Sequence, residues 1–440
     1  MNRKILLLLI LAFAVFFSLQ AQEKWLGTKF PYAGAQTDYK MPPKGYVPFF
    51  INYVGRHGSR YMSKSGADSL VLAVLNDALT KNSLTSEGKQ WLTNVVWLVT
   101  EQKGKYGTLT KMGVEQQQGI AERMQHLYPD VFKGRGLELW CTSIPRTKQS
   151  AQAFVSGLQD YGSEKILFEA EQKKADEMLR FFSFSKNYKA FEKSEAVENE
   201  MDEIQECKNY LLATRTLASR FFTGDYLNRL HSGDVSIQLN GKTERLDDVI
   251  FANALFEVYA VGCSLTYQLL NAPQTVVWKS PFNRKEDEWI GKVANAHDFL
   301  TKGPGVNNQG VQVKVASPLL ENLIATSDSA VAGKLHLDAV LRFAHAETIA
   351  PLAALMKIKH ASQGTEDICN YDKYWKAADV VPMSANIQWV FYTDGKDILV
   401  KVLLNEQESA IPVKTDIFPY YSWNEVRSYY ENLLNTINKE

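Results

Sequence analysis

The sequence predicts an α/β fold in which a largely parallel central sheet is flanked by helices and a helix-rich insertion forms a cap domain. Short, nearly continuous apolar runs are typical of strands buried on both faces, and they occupy residues 47–54, 137–142 and 166–170. Two helical patterns lie between the first and second runs, at residues 67–79 and 109–127. A third helical pattern follows the second run, at residues 147–158. From about residue 171 to 299 the chain is instead charged and helix-rich. Strand–helix alternation interrupted by one helical segment therefore predicts the fold class.

The insertion has two internal features. Asn240-Gly241 stands between arms of alternating apolar residues, which indicates a hairpin over residues 235–245. The apolar run at residues 258–270 is too short for a membrane span, and we interpret it as a buried helix.

Strand character returns after the insertion. A strand is predicted at residues 335–344 and a helix at residues 348–356. Two β-rich arms within residues 387–413 meet at Asp394-Gly395, which indicates a terminal hairpin.

The N-terminus has the pattern of a cleaved export signal. Arg3 and Lys4 precede an apolar run over residues 5–19, and Ala21 supplies a small residue at the cleavage point. The alternative is a membrane anchor, but the run is shorter than the ~20 residues that span a bilayer. We therefore expect export, cleavage after Ala21 and a periplasmic or secreted protein. The predicted parts are a signal peptide at 1–21, an α/β core at 22–170 and 300–440, and a mainly helical cap at 171–299.

Charge and cysteine content exclude several classes of protein. The 440 residues include 49 Lys+Arg and 49 Asp+Glu, so the chain lacks the basic excess that a nucleic-acid-binding face requires. Four cysteines are too few for a disulfide-dense scaffold, and none is spaced as in a zinc finger or redox motif. In an oxidising compartment one or two disulfides are possible, and their pairing stays open. No segment after the signal is long and apolar enough to span a membrane.

The motif Arg56-His57-Gly58-Ser59-Arg60 directly follows the first predicted strand, and ligands of open α/β sheets bind at the carboxyl ends of strands. The two guanidinium groups favour a neutral imidazole between them through like-charge repulsion. A neutral histidine flanked by two phosphate-binding arginines suits nucleophilic attack on a phosphoryl group, and Gly58 allows the backbone to turn closely round the oxyanions. The alternative is a solvated basic turn, which the position after a buried strand disfavours.

This motif resembles the RHGxRxP signature of the histidine acid phosphatases, branch 2 of the histidine phosphatase superfamily, although Met62 replaces the final proline. The second signature of that family, a histidine followed by an acid after a late strand, resembles His345-Ala346-Glu347. This HAE form, with Pro145-Arg146 and Leu179-Arg180-Phe181-Phe182, is similar to bacterial multiple inositol polyphosphate phosphatases and phytases.

The resemblance implies a role for each matched residue. His57 would be the nucleophile that forms a phosphohistidine, and Glu347 would protonate the leaving alkoxide. The phosphate-binding residues would be Arg56, Arg60, Arg146 and His345. Without the first motif, His345 would be interpreted as a core histidine, Glu347 as an acid favoured at a helix N-terminus and Arg146 as a surface residue of a first helical turn.

The resemblance also implies a substrate class: inositol hexakisphosphate and lower inositol polyphosphates, hydrolysed by an exported phosphomonoesterase without a metal or other cofactor. The remaining histidines are scattered without metal-ligand spacing, which agrees with this expectation. Such a ring requires further cations, and the candidates are Arg180, Lys186 and Lys189, whose alternative role is a solvated charged face.

Two other functions remain open. The first is a broad-specificity histidine acid phosphatase, or one that prefers bisphosphoglycerate-like substrates. The second is a non-catalytic phosphate-binding protein. Glu347 argues against the second, because proton donation requires a carboxyl group and simple phosphate capture does not.

Overall fold

A computed structural model describes residues 24–34, 38–162, 166–168, 172–306 and 310–439. The predicted signal peptide at residues 1–21 lies outside the described residues, and so do the last two residues of the strand predicted at 166–170. Within the described part of the chain, no helix combines the length and the apolarity that crossing a membrane requires.

A mixed sheet forms the centre of the molecule, and a separate hairpin lies in the insertion. The strands are β1 (Val47–Arg56), β2 (Leu137–Cys141), β3 (Ile166–Phe168), β4 (Val235–Leu239), β5 (Lys242–Leu246), β6 (Ala339–Ala344), β7 (Asn386–Thr393), β8 (Ile398–Leu404), β9 (Gln407–Glu408) and β10 (Tyr420–Ser422). The order across the central sheet is β10-β8-β7-β1-β6-β2-β3, with β9 paired to β8.

The strands that lead to the predicted site are parallel. β6 pairs in parallel with both β1 and β2, and β3 extends this parallel block. The terminal hairpin of β7 and β8, predicted from its Asp394-Gly395 turn, adds antiparallel strands beside β1. The predicted α/β class with a mostly parallel central sheet is therefore confirmed.

Helices cover both faces of this sheet and fill the insertion. They are α1 (Ala67–Thr80), α2 (Ser86–Gln102), α3 (Lys111–Leu127), α4 (Pro145–Ser156), α5 (Gln172–Leu179), α6 (Phe181–Phe184), α7 (Lys186–Phe191), α8 (Glu195–Gln205), α9 (Lys208–Phe221), α10 (Gly224–His231), α11 (Asp248–Gly262), α12 (Thr266–Leu269), α13 (Arg284–Thr301), α14 (Val311–Lys314), α15 (Ser317–Val331), α16 (Ala346–Leu355), α17 (Ala377–Val380) and α18 (Trp423–Ile437). Two 3-10 turns lie at Lys24–Lys29 and Ile368–Lys373.

Side chains alternate across β1 and place a hydrophobic core on each side of the sheet. Phe50 and Val54 belong to a large core that continues through the helices of the insertion. Ile51 and Tyr53 belong to a smaller core with α3 and α4. Because both faces are covered, the strands are almost wholly apolar, which explains the runs seen in the sequence.

The described residues from 172 to 301 are mainly helical, and they contain the predicted hairpin of β4 and β5 at Asn240-Gly241. The helix expected over residues 258–270 is wrong in its bounds. α11 begins at Asp248, where the side chain of Asp247 accepts a hydrogen bond from the amide of Ile250 at 2.8 Å. It ends at Gly262, which packs against the ring of Trp278 so closely that a Cβ would overlap it.

Candidate active site

Three parallel strands, β1, β6 and β2, end side by side, and the candidate site lies at their carboxyl ends. Arg56 of β1 is in register with Ala344 of β6, and Cys141 of β2 is in register with Phe343. The residues that follow each strand therefore meet at one edge of the sheet, as is usual for ligand sites of α/β proteins. The amide of His57 donates to the carbonyl of Ala344 at 3.0 Å, which locks the first motif against the second.

The imidazole of His57 is buried and oriented by its own loop. Its Nδ1 lies 3.0 Å from the carbonyl oxygen of Gly58, and because a carbonyl only accepts, Nδ1 must carry the proton. Nε2 is then unprotonated and nucleophilic. Burial lowers the pKa of His57 well below its usual value, and the cations of Arg146, Arg56 and Arg60 lower it further. The structure therefore favours the neutral imidazole predicted from the sequence, with burial as the larger cause.

Close packing against α3 and α4 holds the loop that follows His57. The amide of Gly58 donates to Ser150 Oγ at 3.1 Å, and the amide of Ser59 donates to Gln116 Oε1 at 2.9 Å. A Cβ on Gly58 would overlap the carbonyl oxygen of Gly113, and a Cβ on Gly113 would overlap the carbonyl oxygen of Ser59. The two glycines let the loop and helix α3 approach more closely than any other residues would allow.

Arg56, Arg60 and Arg146 form a cluster of cations around His57. Burial, assisted by the charge of another arginine of the cluster, lowers the pKa of each guanidinium to about 10. The Nε atoms of all three are buried and have no hydrogen-bond partner among the described residues. Buried donors are normally satisfied, so this cluster is chemically suited to hold an anion with several oxygen atoms.

Separate elements fix these three arginines. Arg56 donates through Nη1 to the carbonyl oxygens of Val381, at 2.7 Å, and of Thr28. Arg146 is the second residue of α4, so its side chain starts at the positive end of that helix. The alternative interpretation of Arg146 as a surface residue is therefore only partly correct, because the side chain is only partly exposed and its Nε is buried.

His345 lies at the start of α16 beside His57, with ring centroids 5.7 Å apart. Its Nε2 is 3.0 Å from Thr142 Oγ1, the first residue after β2, and the ring of Phe182 packs edge-on at 6.2 Å. Burial lowers the pKa of His345 to about 3, opposed by Glu347 and assisted by Arg146. The ring is therefore neutral and can hydrogen-bond to a phosphate oxygen.

Glu347 occupies the first turn of α16, where it pairs with a lysine. Its Oε1 is 3.2 Å from Nζ of Lys302, which also lies 2.6 Å from Asp298 Oδ1. Burial would raise the pKa of Glu347, but the charge of Lys302 lowers it below the usual range, and the charge of Arg56 adds to this effect. Lys302 is therefore the main group that favours the ionised form of this carboxyl.

The three candidate specificity residues take different places. Arg180 reaches the site: its Nη1 donates to Ser143 Oγ at 3.2 Å, and its charge acts on Arg146 and His345. Lys186 and Lys189 are exposed on α7, and the described residues show no hydrogen bond or ion pair between them and the site.

Several side chains that support the site were not predicted from the sequence. Thr142 follows β2 as directly as His57 follows β1, so strand position alone could have indicated it. Ser150, Asp298 and Lys302 carry no such signal, because only the packing of helices α4 and α13 brings them to the strand ends.

Comparison with known proteins agrees with this geometry. The profile of the histidine phosphatase superfamily (branch 2) matches residues 50–405, which is most of the chain. The protein therefore belongs to branch 2 of the histidine phosphatase superfamily. A search of curated proteins gives no match.

Solved structures of low sequence identity share the fold. The multiple inositol polyphosphate phosphatase of Bifidobacterium longum, solved in complex with inositol hexasulfate, is 21% identical with a TM-score of 0.82, covering 92% of this chain and 97% of that one. The phytase from D. castellii is 15% identical with a TM-score of 0.65, covering 94% and 85%. The Hafnia alvei phytase in complex with myo-inositol hexakis sulphate is 14% identical with a TM-score of 0.52, covering 89% and 98%.

Proposed function

We propose that the protein is a phosphomonoesterase that hydrolyses inositol hexakisphosphate and lower inositol polyphosphates through a phosphohistidine. One observation carries the proposal: three arginines surround an imidazole whose Nδ1 carries its proton, and their buried Nε atoms have no hydrogen-bond partner among the described residues. This arrangement binds a phosphoryl group and presents a nucleophilic nitrogen to it. The likeness to the inositol phosphatase and phytase structures supports the substrate class.

The first chemical step transfers the phosphoryl group to the enzyme. Nε2 of His57 attacks phosphorus while Arg56, Arg60 and Arg146 neutralise the non-bridging oxygens. The bond between phosphorus and the ester oxygen breaks, and the leaving alkoxide takes a proton from Glu347. The carbon–oxygen bond of the ester and the inositol ring stay intact.

The second step releases inorganic phosphate. A water molecule attacks the phosphorus of the phosphohistidine, its proton passes to the carboxylate of Glu347, and the phosphorus–nitrogen bond breaks. His57 returns to its neutral form with the proton still on Nδ1. Glu347 is therefore protonated again at the end of the two chemical steps, as it was when they began.

The direct test is phosphate release from inositol hexakisphosphate, with an aryl phosphate in parallel, between about pH 4 and 7 in the presence of EDTA. We expect metal-independent release that disappears in His57→Ala. Release that requires a metal, or that survives in His57→Ala, would contradict the proposal. Turnover of the aryl phosphate alone would favour a broad-specificity phosphatase, and tight phosphate binding without turnover would favour a phosphate-binding protein.

A substitution of Glu347 tests its role in proton donation. Glu347→Gln should slow the hydrolysis of inositol phosphates by about 100-fold and that of aryl phosphates far less, because an aryl oxide leaves without protonation. Equal losses on both substrates would remove Glu347 from this role.

Export belongs to the same proposal. We propose that residues 1–21 direct the chain out of the cytoplasm and are removed after Ala21, leaving a periplasmic or secreted enzyme. The mass of the protein recovered from the cell envelope or the medium would test this, and a full-length mass would contradict it.

A further inference from the structure

Lys302 bridges two carboxylates at the edge of the site. It is the residue that ends α13, and its Nζ contacts Asp298 one turn earlier and Glu347 at the start of α16, at 2.6 and 3.2 Å. The side chains of Lys302 and Asp298 are each 15% exposed, and that of Glu347 is 32% exposed. One ammonium therefore pairs with two poorly hydrated carboxylates.

We infer that Lys302 is a positioning residue that keeps Glu347 ionised in the empty site, and that an arriving substrate phosphate weakens this ion pair so that Glu347 becomes protonated. The inference rests on the proposed function of Glu347 as a proton donor. A phosphate bound by Arg56, Arg60 and Arg146 brings negative charge next to Glu347 and competes for the ammonium of Lys302.

The other charges around Glu347 do not replace Lys302. Burial opposes the ionised form of Glu347, and the charge of Lys302 is the largest effect that favours it, ahead of His345 and Arg56. The titratable and charged groups that act on Glu347 from elements packed against it are Arg56, Arg60, Arg146, Tyr188, Asp298, Lys302 and His345. The arginines are the groups that a phosphate would neutralise, so its arrival removes part of the remaining stabilisation of the carboxylate.

The test removes both charges together, because Lys302→Met alone would leave Asp298 buried without a partner. In Asp298→Asn/Lys302→Met, the pH at which kcat/KM falls on the alkaline side should rise by about one unit for an alkyl phosphate. Aryl phosphate hydrolysis should show no such shift. Lys302→Arg keeps the charge and should keep the wild-type profile. A purely structural role of Lys302 would lower both rates without moving the profile, and that result would overturn the inference.

A titration that does not depend on catalysis can test the role of Lys302 independently of the proposed function. The 13C signal of the Glu347 carboxyl, assigned by its loss in Glu347→Gln, should titrate at a higher pH in the double variant than in the wild type. An unchanged titration would overturn the role of Lys302 even if the enzyme is active. A raised titration in a protein that turns over neither ester would support the role of Lys302 and contradict the proposed function instead.

Two cysteines carry a second inference that does not depend on the enzymatic function. Cys207 lies between α8 and α9 in the insertion, and Cys369 lies in the turn Ile368–Lys373. Their Sγ atoms are 2.8 Å apart, close to the ~2.05 Å of a covalent bond between sulfurs. Lys292 fixes the turn by donating to the carbonyl of Cys369 at 3.2 Å and pairing with Asp372 at 2.7 Å.

We propose that Cys207 and Cys369 are the site of a disulfide that ties the helical insertion to the turn at Ile368–Lys373. The reaction is an exchange with an external disulfide: the two thiols lose two protons and two electrons, one sulfur–sulfur bond forms, and the external disulfide is reduced to two thiols. An oxidising compartment, to which the proposed export would lead, supplies such disulfides.

Oxidised glutathione is the probe for this site. After incubation, the peptides that contain Cys207 and Cys369 should be joined and should separate on reduction, and oxidation should raise Tm by about 5 °C. Cys207→Ser and Cys369→Ser should each abolish the link and the rise in Tm, whereas Cys141→Ser should keep both. Thiols at Cys207 and Cys369 that stay open to alkylation, or a link to Cys141, would overturn the proposal.

Discussion

The imidazole rings of His57 and His345 lie 5.7 Å apart at an interplanar angle of 69°, at the ends of two adjacent parallel strands. Both rings are buried beside arginines, so both are neutral where an exposed histidine would begin to gain a proton. Two neutral imidazoles can then face one phosphate, one as a nucleophile and the other as a hydrogen-bond donor. This relationship makes the response of the protein to acid predictable.

Stability should fall as the pH decreases, partly because of His345. Its pKa drops from 6.5 to about 3 on folding, so below pH 6.5 the unfolded chain binds a proton that the folded chain does not. The contribution of neutral His345 to the free energy of unfolding is fully present above pH 6.5 and is lost progressively towards pH 3. In urea unfolding at a series of pH values, His345→Asn should lose less free energy of unfolding over this range than the wild type. His126→Asn, on the exposed face of α3, is the control, and equal slopes for all three proteins would contradict this cause.

Arg146 should matter for catalysis although it starts a helix at the edge of the sheet. Arg146→Ala removes one of three cations from the phosphoryl oxygens, and kcat/KM should fall by about 100-fold on both alkyl and aryl phosphates. Lys148→Ala, an exposed change on the same helix, should alter it by less than about twofold. Similar losses in the two variants would show that net charge, and not the cluster, accounts for the effect.

Substitution of Arg180 should change KM for inositol hexakisphosphate more than substitution of the lysines of α7. Arg180 contacts the loop after β2, so Arg180→Ala should raise KM for inositol hexakisphosphate by about tenfold. Lys186→Ala and Lys189→Ala remove exposed charges and should change KM by less than about twofold. The measurement is initial rates at low ionic strength, where a weak effect of the lysines would be largest. Larger effects of the lysines than of Arg180 would assign the specificity to α7.

Two glycines of helix α3 should differ sharply on substitution. Gly113→Ala places a methyl group against the carbonyl oxygen of Ser59 in the nucleophile loop, and should destabilise the fold by about 1–3 kcal/mol with a loss of activity. Gly119→Ala meets only the end of the Arg123 side chain, with Nη1 at 2.9 Å, and alanine favours helix. That variant should keep its stability and activity. The measurements are urea unfolding and aryl phosphate turnover, and a tolerated Gly113→Ala would show that the loop can move away from α3.

Local sequence was enough to predict β1 and α3 closely. The apolar run after residue 46 matches a strand that is covered on both faces, and Thr110 caps α3 by accepting from the amide of Gly113 at 3.2 Å. Both features depend on neighbouring residues only. Helix α11 was harder to predict, because its end at Gly262 depends on the distant ring of Trp278.

The sequence alone determined the motif at residues 56–60, its place after a buried strand, and the family to which the chain belongs. These depend on residues that adjoin one another, so periodicity and short motifs contain them. Only the tertiary structure decided which cations surround His57, that Lys302 binds Glu347, and that Cys207 meets Cys369. Such contacts join residues far apart in the chain, and the packing of helices against a sheet sets them, which no local pattern records.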